Sequence, residues 1–389
     1  MNILFVNNFN NLFEKADCGA SQRSMCMLRA LAKVGHVDVL SFVDNTISNI
    51  PNVDVVYSNY INPSLPIGGR FNKFLNLFAA HRPYSIYPIQ PDKKKIIDDF
   101  VVQKQYDIIV VRYVRYAVEC GLLNYSDRLV IDVDDDQKQV ILMAYDKIRT
   151  LRNKWYNLLY ANTIDKMVRN ITANIVHAYY SSPISTYPNA SFLPNISAYQ
   201  VDDICEHKKS YNHRIIMVGR YDYYPNAEGL EFFVSQIMPK IKERIPDIEL
   251  HVVGKILNDK LEEFLQRQDN VILCGYVEDL ITKYNECSCA IVPIYYGSGT
   301  SVKMVEAMSL GCPTIATPCG ARGLHTAFIP NVDYVLANSN EEFIDGVIRV
   351  ITDIDYSSKM ASNAIVKVKR YYSPSVFEET IIRTIQHAK

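Results

Sequence analysis

The chain has 389 residues, too many for one ordinary hydrophobic core, so two domains of roughly 150–200 residues are expected. Its hydrophobic share of 48% and charged share of 21% are those of a globular protein. With 41 basic against 42 acidic residues the net charge is −1, which gives no electrostatic reason to expect nucleic acid as a partner.

The N-terminus opens on an apolar strand, MNILFVNN, with no basic region leading a long apolar stretch, so no signal peptide is expected. No apolar run approaches the roughly 20 residues that span a bilayer. The expected location is cytoplasmic, in solution or at the inner face of the membrane. The nine cysteines are scattered without a CxxC pair, which fits reduced core thiols better than zinc or a disulfide framework.

Short apolar runs alternate with amphipathic stretches along the whole chain, the pattern of parallel sheets covered by helices. In the first half, strands are expected at Ile3–Asn7, Val37–Ser41, Val53–Tyr57, Ile108–Arg112, Leu129–Val133 and Ile175–His177. Helices are expected at Ser21–Val34, Asp92–Gln105 and Gln137–Arg169. In the second half, the strands are Arg214–Val218, Glu249–Val253, Val271–Leu273, Ala290–Val292, Thr314–Thr317 and Tyr334–Leu336. The helices there are Asn226–Glu243, Asp259–Gln268, Val302–Leu310 and Glu341–Thr352. Runs such as IIMV and ELHVV are apolar throughout, as a sheet covered on both faces requires. The fold class is therefore α/β: two doubly wound, Rossmann-like domains facing a cleft. The expected bounds are 1–200, a polar linker at 201–212, 213–372, and a last helix at 373–389.

The segment Val292-Pro293-Ile294-Tyr295-Tyr296-Gly297-Ser298-Gly299-Thr300-Ser301 joins a strand to a helix. Gly297 and Gly299 let a ligand approach the backbone without a Cβ in the way. Thr300 or Ser301 is placed to cap the helix that starts at Val302, whose free N–H groups and positive dipole end suit phosphate. A plain capped loop would read the same way. Lys303 in the first helical turn is unfavourable for the dipole unless an anion is near. Glu306, one turn on, has the chemistry to accept hydrogen bonds from two vicinal ribose hydroxyls. The bland alternative is an i,i+3 surface pair.

The run GSGTSVKMVEAMSLGCPTIATPCGARGL resembles the signature of the family 4 retaining glycosyltransferases of the GT-B fold. The likeness extends upstream through VGRYDYYPNAEGLEFF, ELHVVGK and NVILCGYVEDL. It is strong from Arg214 to Leu324 and loose in the N-terminal half. The resemblance implies transfer of a sugar from a nucleotide-diphosphate donor to a glycan or lipid-linked glycan, with retention and without a cofactor or obligatory metal. It implies that Arg220 pairs with donor phosphate, that the Gly275-Tyr276-Val277 turn frames the base, and that Glu306 meets the ribose. The last helix, Ser375–Ala388, would cross back onto the N-terminal domain.

Three departures matter. Ser298 stands where the family's first motif glutamate would fall, so donor-sugar recognition is expected to differ there. The lysine that usually follows the arginine by five or six residues is absent, Pro225 and Asn226 occupying its place. Lys303, or else Lys255, would then supply the second positive charge. The glycine pair after the first strand reads Cys18-Gly19, leaving Gly19-Ala20-Ser21 to present N–H groups at the start of the helix that carries Arg23.

In the N-terminal half, Arg112 and Tyr113 end a strand, and Arg115 and Tyr116 follow. This cluster suits an anionic or carbohydrate acceptor, and equally suits loop packing. Asp132-Val133-Asp134-Asp135-Asp136 carries a DxD core that a metal could use. A helix start directly after it offers N-capping as the preferred account, and Asp134 is kept as an acceptor-side candidate. His81 and His177 are read as structural. Lys93-Lys94-Lys95 is read as a solvated helix face. A nucleotide-sugar epimerase and a non-catalytic nucleotide-sugar-binding subunit are the alternatives to a transferase.

Overall fold

The computed structural model describes residues 1–8, 19–43, 50–61, 76–143, 145, 148, 150–181, 186–197, 212–296, 301–324 and 326–387. The chain divides into two compact units, Met1–Pro194 with Ser375–Lys389, and Asn195–Pro374. Most of the expected linker at 201–212 lies outside the described residues.

The first unit holds β1 (Asn2–Asn7), β2 (His36–Ser41), β3 (Val53–Ser58), β4 (Ile108–Arg112), β5 (Leu129–Asp134), β6 (His177–Tyr180) and β7 (Ala190–Phe192). They pair in the order β3-β2-β1-β4-β5-β6-β7, and every pair is parallel. Strands β4 and β5 are buried along their whole length, which explains their apolar runs Ile108–Val111 and Leu129–Ile131; Arg112, Asp132 and Asp134 follow toward the carboxyl ends. The helices are α1 (Gly19–Ala32), α2 (Pro83–Ile86), α3 (Pro91–Gln103), α4 (Val114–Glu119), α5 (Gln137–Leu142) and α6 (Leu151–Ala173).

The second unit repeats the plan with β8 (Arg214–Val218), β9 (Glu249–Val253), β10 (Val271–Gly275), β11 (Cys289–Val292), β12 (Thr314–Ala316) and β13 (Val335–Leu336). Their order is β10-β9-β8-β11-β12-β13, again parallel throughout. Its helices are α7 (Tyr224–Phe232), α8 (Met238–Arg244), α9 (Asp259–Gln266), α10 (Leu280–Asn285), α11 (Val302–Ser309), α12 (Asn340–Thr352) and α13 (Ile354–Tyr371). The closing helix α14 (Pro374–His387) belongs from Ser375 onward to the first unit, where it buries Phe377, Ile381 and Ile385.

Several expected elements change form. The single helix expected over Gln137–Arg169 is two: α5 ends at Leu142, and α6 begins where the Thr150 hydroxyl accepts the Asn153 N–H at 3.3 Å. A side-chain cap of this kind starts a new helix and does not continue the old one. The helix expected over Asn226–Glu243 is interrupted by a π-turn at Phe233–Ile237. Pro239 follows in the first turn of α8 and has no N–H for the preceding turn, which accounts for the break. The strand expected at Ile175–His177 forms at His177–Tyr180, and β7 was not anticipated from its three half-buried residues.

In each sheet the strand order reverses beside the first strand of the unit, between β1 and β4 and between β8 and β11. The crevice outside the carboxyl ends of such a strand pair is the ligand position of open α/β sheets.

Candidate functional site

In the second unit, β8 leads into Gly219-Arg220-Tyr221-Asp222, and β11 leads toward α11. The first of these connections and the first turn of α11 meet at the reversal point. Gly254 stands at the end of β9 with φ of 127°. A Cβ there would lie 1.8 Å from the Gly219 carbonyl oxygen, so only glycine permits this approach of the two strand ends.

Lys303 reaches across from the first turn of α11. Its ammonium donates to the Asn226 side-chain oxygen, and Asn226 in turn donates to the Arg220 carbonyl at 2.6 Å. Gly219 leaves the space for this: a Cβ there would sit 3.2 Å from the Asn226 amide nitrogen and 3.3 Å from Lys303 Nζ. Thus the asparagine standing in place of the missing lysine holds the lysine that comes from another element.

Glu306 is one turn along α11 and accepts a hydrogen bond from the Tyr284 hydroxyl at 3.2 Å. Both Lys303 and Glu306 are half-buried. Burial pulls the Lys303 ammonium down to about 8, partly offset by Glu306. Burial likewise pushes the Glu306 carboxyl up to about 7, against the Tyr284 hydrogen bond and the nearby Lys303. A cation and a carboxylate at a helix N-terminus, both titrating near neutrality, mark a place arranged to meet a charged ligand. Such a site can hold a diphosphate between the ammonium and the helix end, with hydroxyls on the carboxylate.

The other predicted residues are placed as follows. Arg220 is largely exposed and pairs with Asp222, Nε to Oδ1 at 3.1 Å and Nη2 to Oδ2 at 2.5 Å. Ser301 is the residue before α11 and makes no side-chain cap, and Val302 opens the helix. Tyr276 is 77% exposed after Gly275, which has φ of 63°. Gly297, Ser298, Gly299 and Thr300 lie outside the described residues. Gly19 is the first residue of α1, in the other unit.

In the first unit the ends of β4 and β5 carry a buried charge network. Arg23 donates to both Asp132 oxygens at 2.8 Å and to the carbonyls of Leu193 and Pro194 at 3.0 and 3.2 Å. Arg112 donates to the same Asp132 at 2.8 Å, to Ser24 at 2.9 Å, and to Asp134. Tyr113 lies beside this pair, its hydroxyl accepting from Arg112 at 3.2 Å. Arg112 is therefore turned inward, 5% exposed, where the sequence reading has it facing an acceptor. Asp132 on the adjacent strand is its register partner, and that neighbour decides its direction. Arg23 is likewise fully engaged and presents no free guanidinium.

Arg115 stands apart from that network, paired with Glu119 at 2.7 Å. Asp136 caps α5 by accepting the Gln139 N–H at 3.0 Å, so the acidic run divides between ion pairing and capping. Lys93 is buried and donates to Asn8 at 2.6 Å, correcting its reading as a solvated residue. His177 is held by Ser191 at 2.8 Å, while His81 contacts Asn170 at 3.1 Å. His36, Asp38 and Asp54 bring possible metal-ligand atoms within 4.8 Å of one another at the other end of the sheet. Asp38 is already held there by Lys104 at 2.7 Å and Tyr106 at 2.6 Å.

Gly219, Tyr284 and the buried partnership of Arg23 with Asp132 carry no signal in the sequence. Asn226 was visible as a departure from a pattern, but its partner was not. Nothing in a linear sequence signals which of two loops a lysine will reach.

Residues 212–353 match the family model described as glycosyl transferases group 1. A Klebsiella pneumoniae protein described as an uncharacterized 44.6 kDa protein in cps region is 20% identical over 312 residues, covering 75% of this chain and 79% of that protein. Among solved structures, sucrose-phosphate synthase from Thermosynechococcus elongatus aligns with a TM-score of 0.69 at 16% identity, covering 99% of this chain and 98% of that one. The Anabaena protein HepE, solved in complex with UDP and glucose, aligns at 0.66 with 14% identity over 100% of both chains. Identities this low establish architecture, and the family match lies within the second unit. The chain thus has the GT-B fold, and its residues 212–353 are similar to the group 1 glycosyl transferases.

Proposed function

We propose that this protein transfers a sugar from a nucleotide-diphosphate sugar to a glycan or lipid-linked glycan, with retention of anomeric configuration. The observation that carries this reading is the Lys303–Asn226–Arg220 linkage at the reversal point of the second sheet, beside the start of α11. The reacting bond needs a leaving diphosphate stabilised while positive charge grows on the sugar carbon. Fixed positive groups aimed at that diphosphate lower the barrier because they are in place beforehand. Lys303 and the helix end supply them directly. Arg220 joins when donor phosphate displaces Asp222, a change an exposed pair permits at small cost.

Glu306 accepts hydrogen bonds from ribose hydroxyls in this scheme, and no protein base is required, since the departing phosphate takes the acceptor's proton. Charge neutralisation by protein groups leaves no obligatory role for a metal. The complex of HepE with UDP and glucose makes a uridine donor the first to test. The Klebsiella relative's place in a cps region agrees with a role in polysaccharide synthesis.

The test is incubation of the purified protein with UDP-, GDP-, ADP- and CMP-sugars, with and without EDTA, followed by NMR of the products. Release of nucleotide with an unchanged anomeric configuration, insensitive to EDTA, is expected. Binding without turnover would replace the proposal with a binding subunit, and formation of an epimeric nucleotide sugar with an epimerase. Loss of activity in EDTA restored by Mn²⁺ would overturn the metal-free mechanism.

A further inference from the structure

The chain contains one tryptophan, Trp155, and it lies on the surface of α6. Leu151, Trp155 and Leu158 are 87%, 56% and 38% exposed. At about 100° per residue their i, i+4, i+7 spacing puts all three on one stripe. Ile164, Met167, Val168 and Ile171 of the same helix are buried and fall on the opposite side. An apolar stripe of this length facing away from its own core is not needed for folding.

Arg152 and Lys154 lie on the two flanks of the stripe by the same rotation. Arg152 is exposed, and Lys154 places its ammonium 5.1 Å from the Tyr145 ring centre. The surrounding sequence, residues 137–164, contains five basic residues and one acidic residue, Asp146. Among the described residues no helix is long and apolar enough to cross a membrane. A tryptophan and two leucines between basic flanks therefore suit contact with a membrane surface in place of insertion through it. Aromatic rings favour the headgroup level, and lysine and arginine favour anionic lipid.

We propose that this face of α6 docks on an anionic lipid bilayer, with Trp155 and the two leucines entering the headgroup region. Docking of this kind goes beyond the transfer reaction and does not depend on it, and the assay below contains neither donor nor acceptor.

The full chain is mixed with vesicles of phosphatidylcholine alone, or of phosphatidylcholine and phosphatidylglycerol in equal parts. Flotation with the anionic vesicles only is expected, together with a blue shift of the emission of Trp155, which is the sole indole reporter. L151E/L158E is expected to abolish flotation while its circular dichroism and melting profile stay those of the parent. R152Q/K154Q is expected to weaken it about 25-fold, roughly fivefold for each basic residue lost. Failure of the parent to float with anionic vesicles would overturn the proposal. So would flotation that both double variants retain. A blue shift that appears without lipid as protein concentration rises would assign the face to a second copy of the chain.

Discussion

Lys303 on α11 and Asn226 on α7 are hydrogen-bonded across 77 residues of sequence, at a point where Gly219 leaves no side chain between them. The pair fixes an ammonium at the end of β8 where the strand order of the second sheet reverses. Asn226 is 4% exposed, and its amide is tied to the Arg220 backbone, so it holds its oxygen in one place. The ammonium is thereby positioned by a hydrogen bond to a neutral side chain, and among the described residues it forms no salt bridge, which leaves its charge available to a ligand.

Removing that charge is expected to weaken donor binding more than folding. Lys303→Met keeps the aliphatic stem and is expected to lower nucleotide-sugar affinity roughly 10- to 100-fold, the range for a charge-assisted contact. Gly219→Ala is expected to act in the same direction, since its Cβ would press on Lys303 and Asn226 at 3.3 and 3.2 Å. Calorimetric titration with UDP-glucose, beside a thermal melt, separates the two effects. Equal affinity in Lys303→Met and the parent would remove Lys303 from the donor site.

Much of the fold was open to sequence reasoning because parallel strands buried on both faces announce themselves as apolar runs. Arg214–Val218, Glu249–Val253 and Ile108–Arg112 form with the expected bounds. The 18-residue helix α13 was not expected, because its first turns are rich in serine and its buried residues are mostly small. Of the site, Lys303 and Glu306 were visible as a charged pair behind a glycine-rich loop. Their partners Asn226 and Tyr284 come from separate elements, and only tertiary contact selects them. Arg112 illustrates the same limit from the opposite side. Its place at a strand end was legible, but its direction depended on Asp132 in the neighbouring strand.

Donor binding is expected to depend on pH with a maximum between about 7 and about 8. Below about 7 Glu306 takes up a proton and loses acceptor capacity toward the ribose hydroxyls. Above about 8 Lys303 loses its proton, so binding an anion then requires proton uptake. Affinity should fall approaching tenfold per pH unit on that limb. Stability of the unliganded protein moves the other way there. The Lys303 value is lowered on folding, so the unfolded chain holds more protons between about 8 and 10.5, and stability gains as pH rises. Lys303→Arg is expected to remove the high-pH limb, because guanidinium does not titrate in this range. Dissociation constants for a nucleotide sugar, whose diphosphate does not titrate here, provide the measurement. A profile flat from pH 6 to 10 would contradict the assignment.

Asp132 is expected to be a structural keystone of the first unit. It is 0% exposed and receives hydrogen bonds from both Arg23 and Arg112. Burial alone would push its carboxyl up, but the two guanidiniums outweigh this and hold it below the usual range. Asp132→Asn leaves two buried arginines short of one negative charge, a change expected to cost about 3–5 kcal/mol. Asp136→Asn, at the exposed helix cap, is expected to cost under about 1 kcal/mol, because asparagine caps nearly as well as aspartate. The depressed Asp132 value also fixes the acid response. Its contribution is complete above the unfolded carboxyl range near 4 and is lost as pH falls through its lower folded value. Urea unfolding at neutral pH compares the two variants, and acid unfolding of the parent reads the pH dependence. If Asp132→Asn were as stable as Asp136→Asn, Arg23 and Arg112 would have to be compensated by groups other than Asp132.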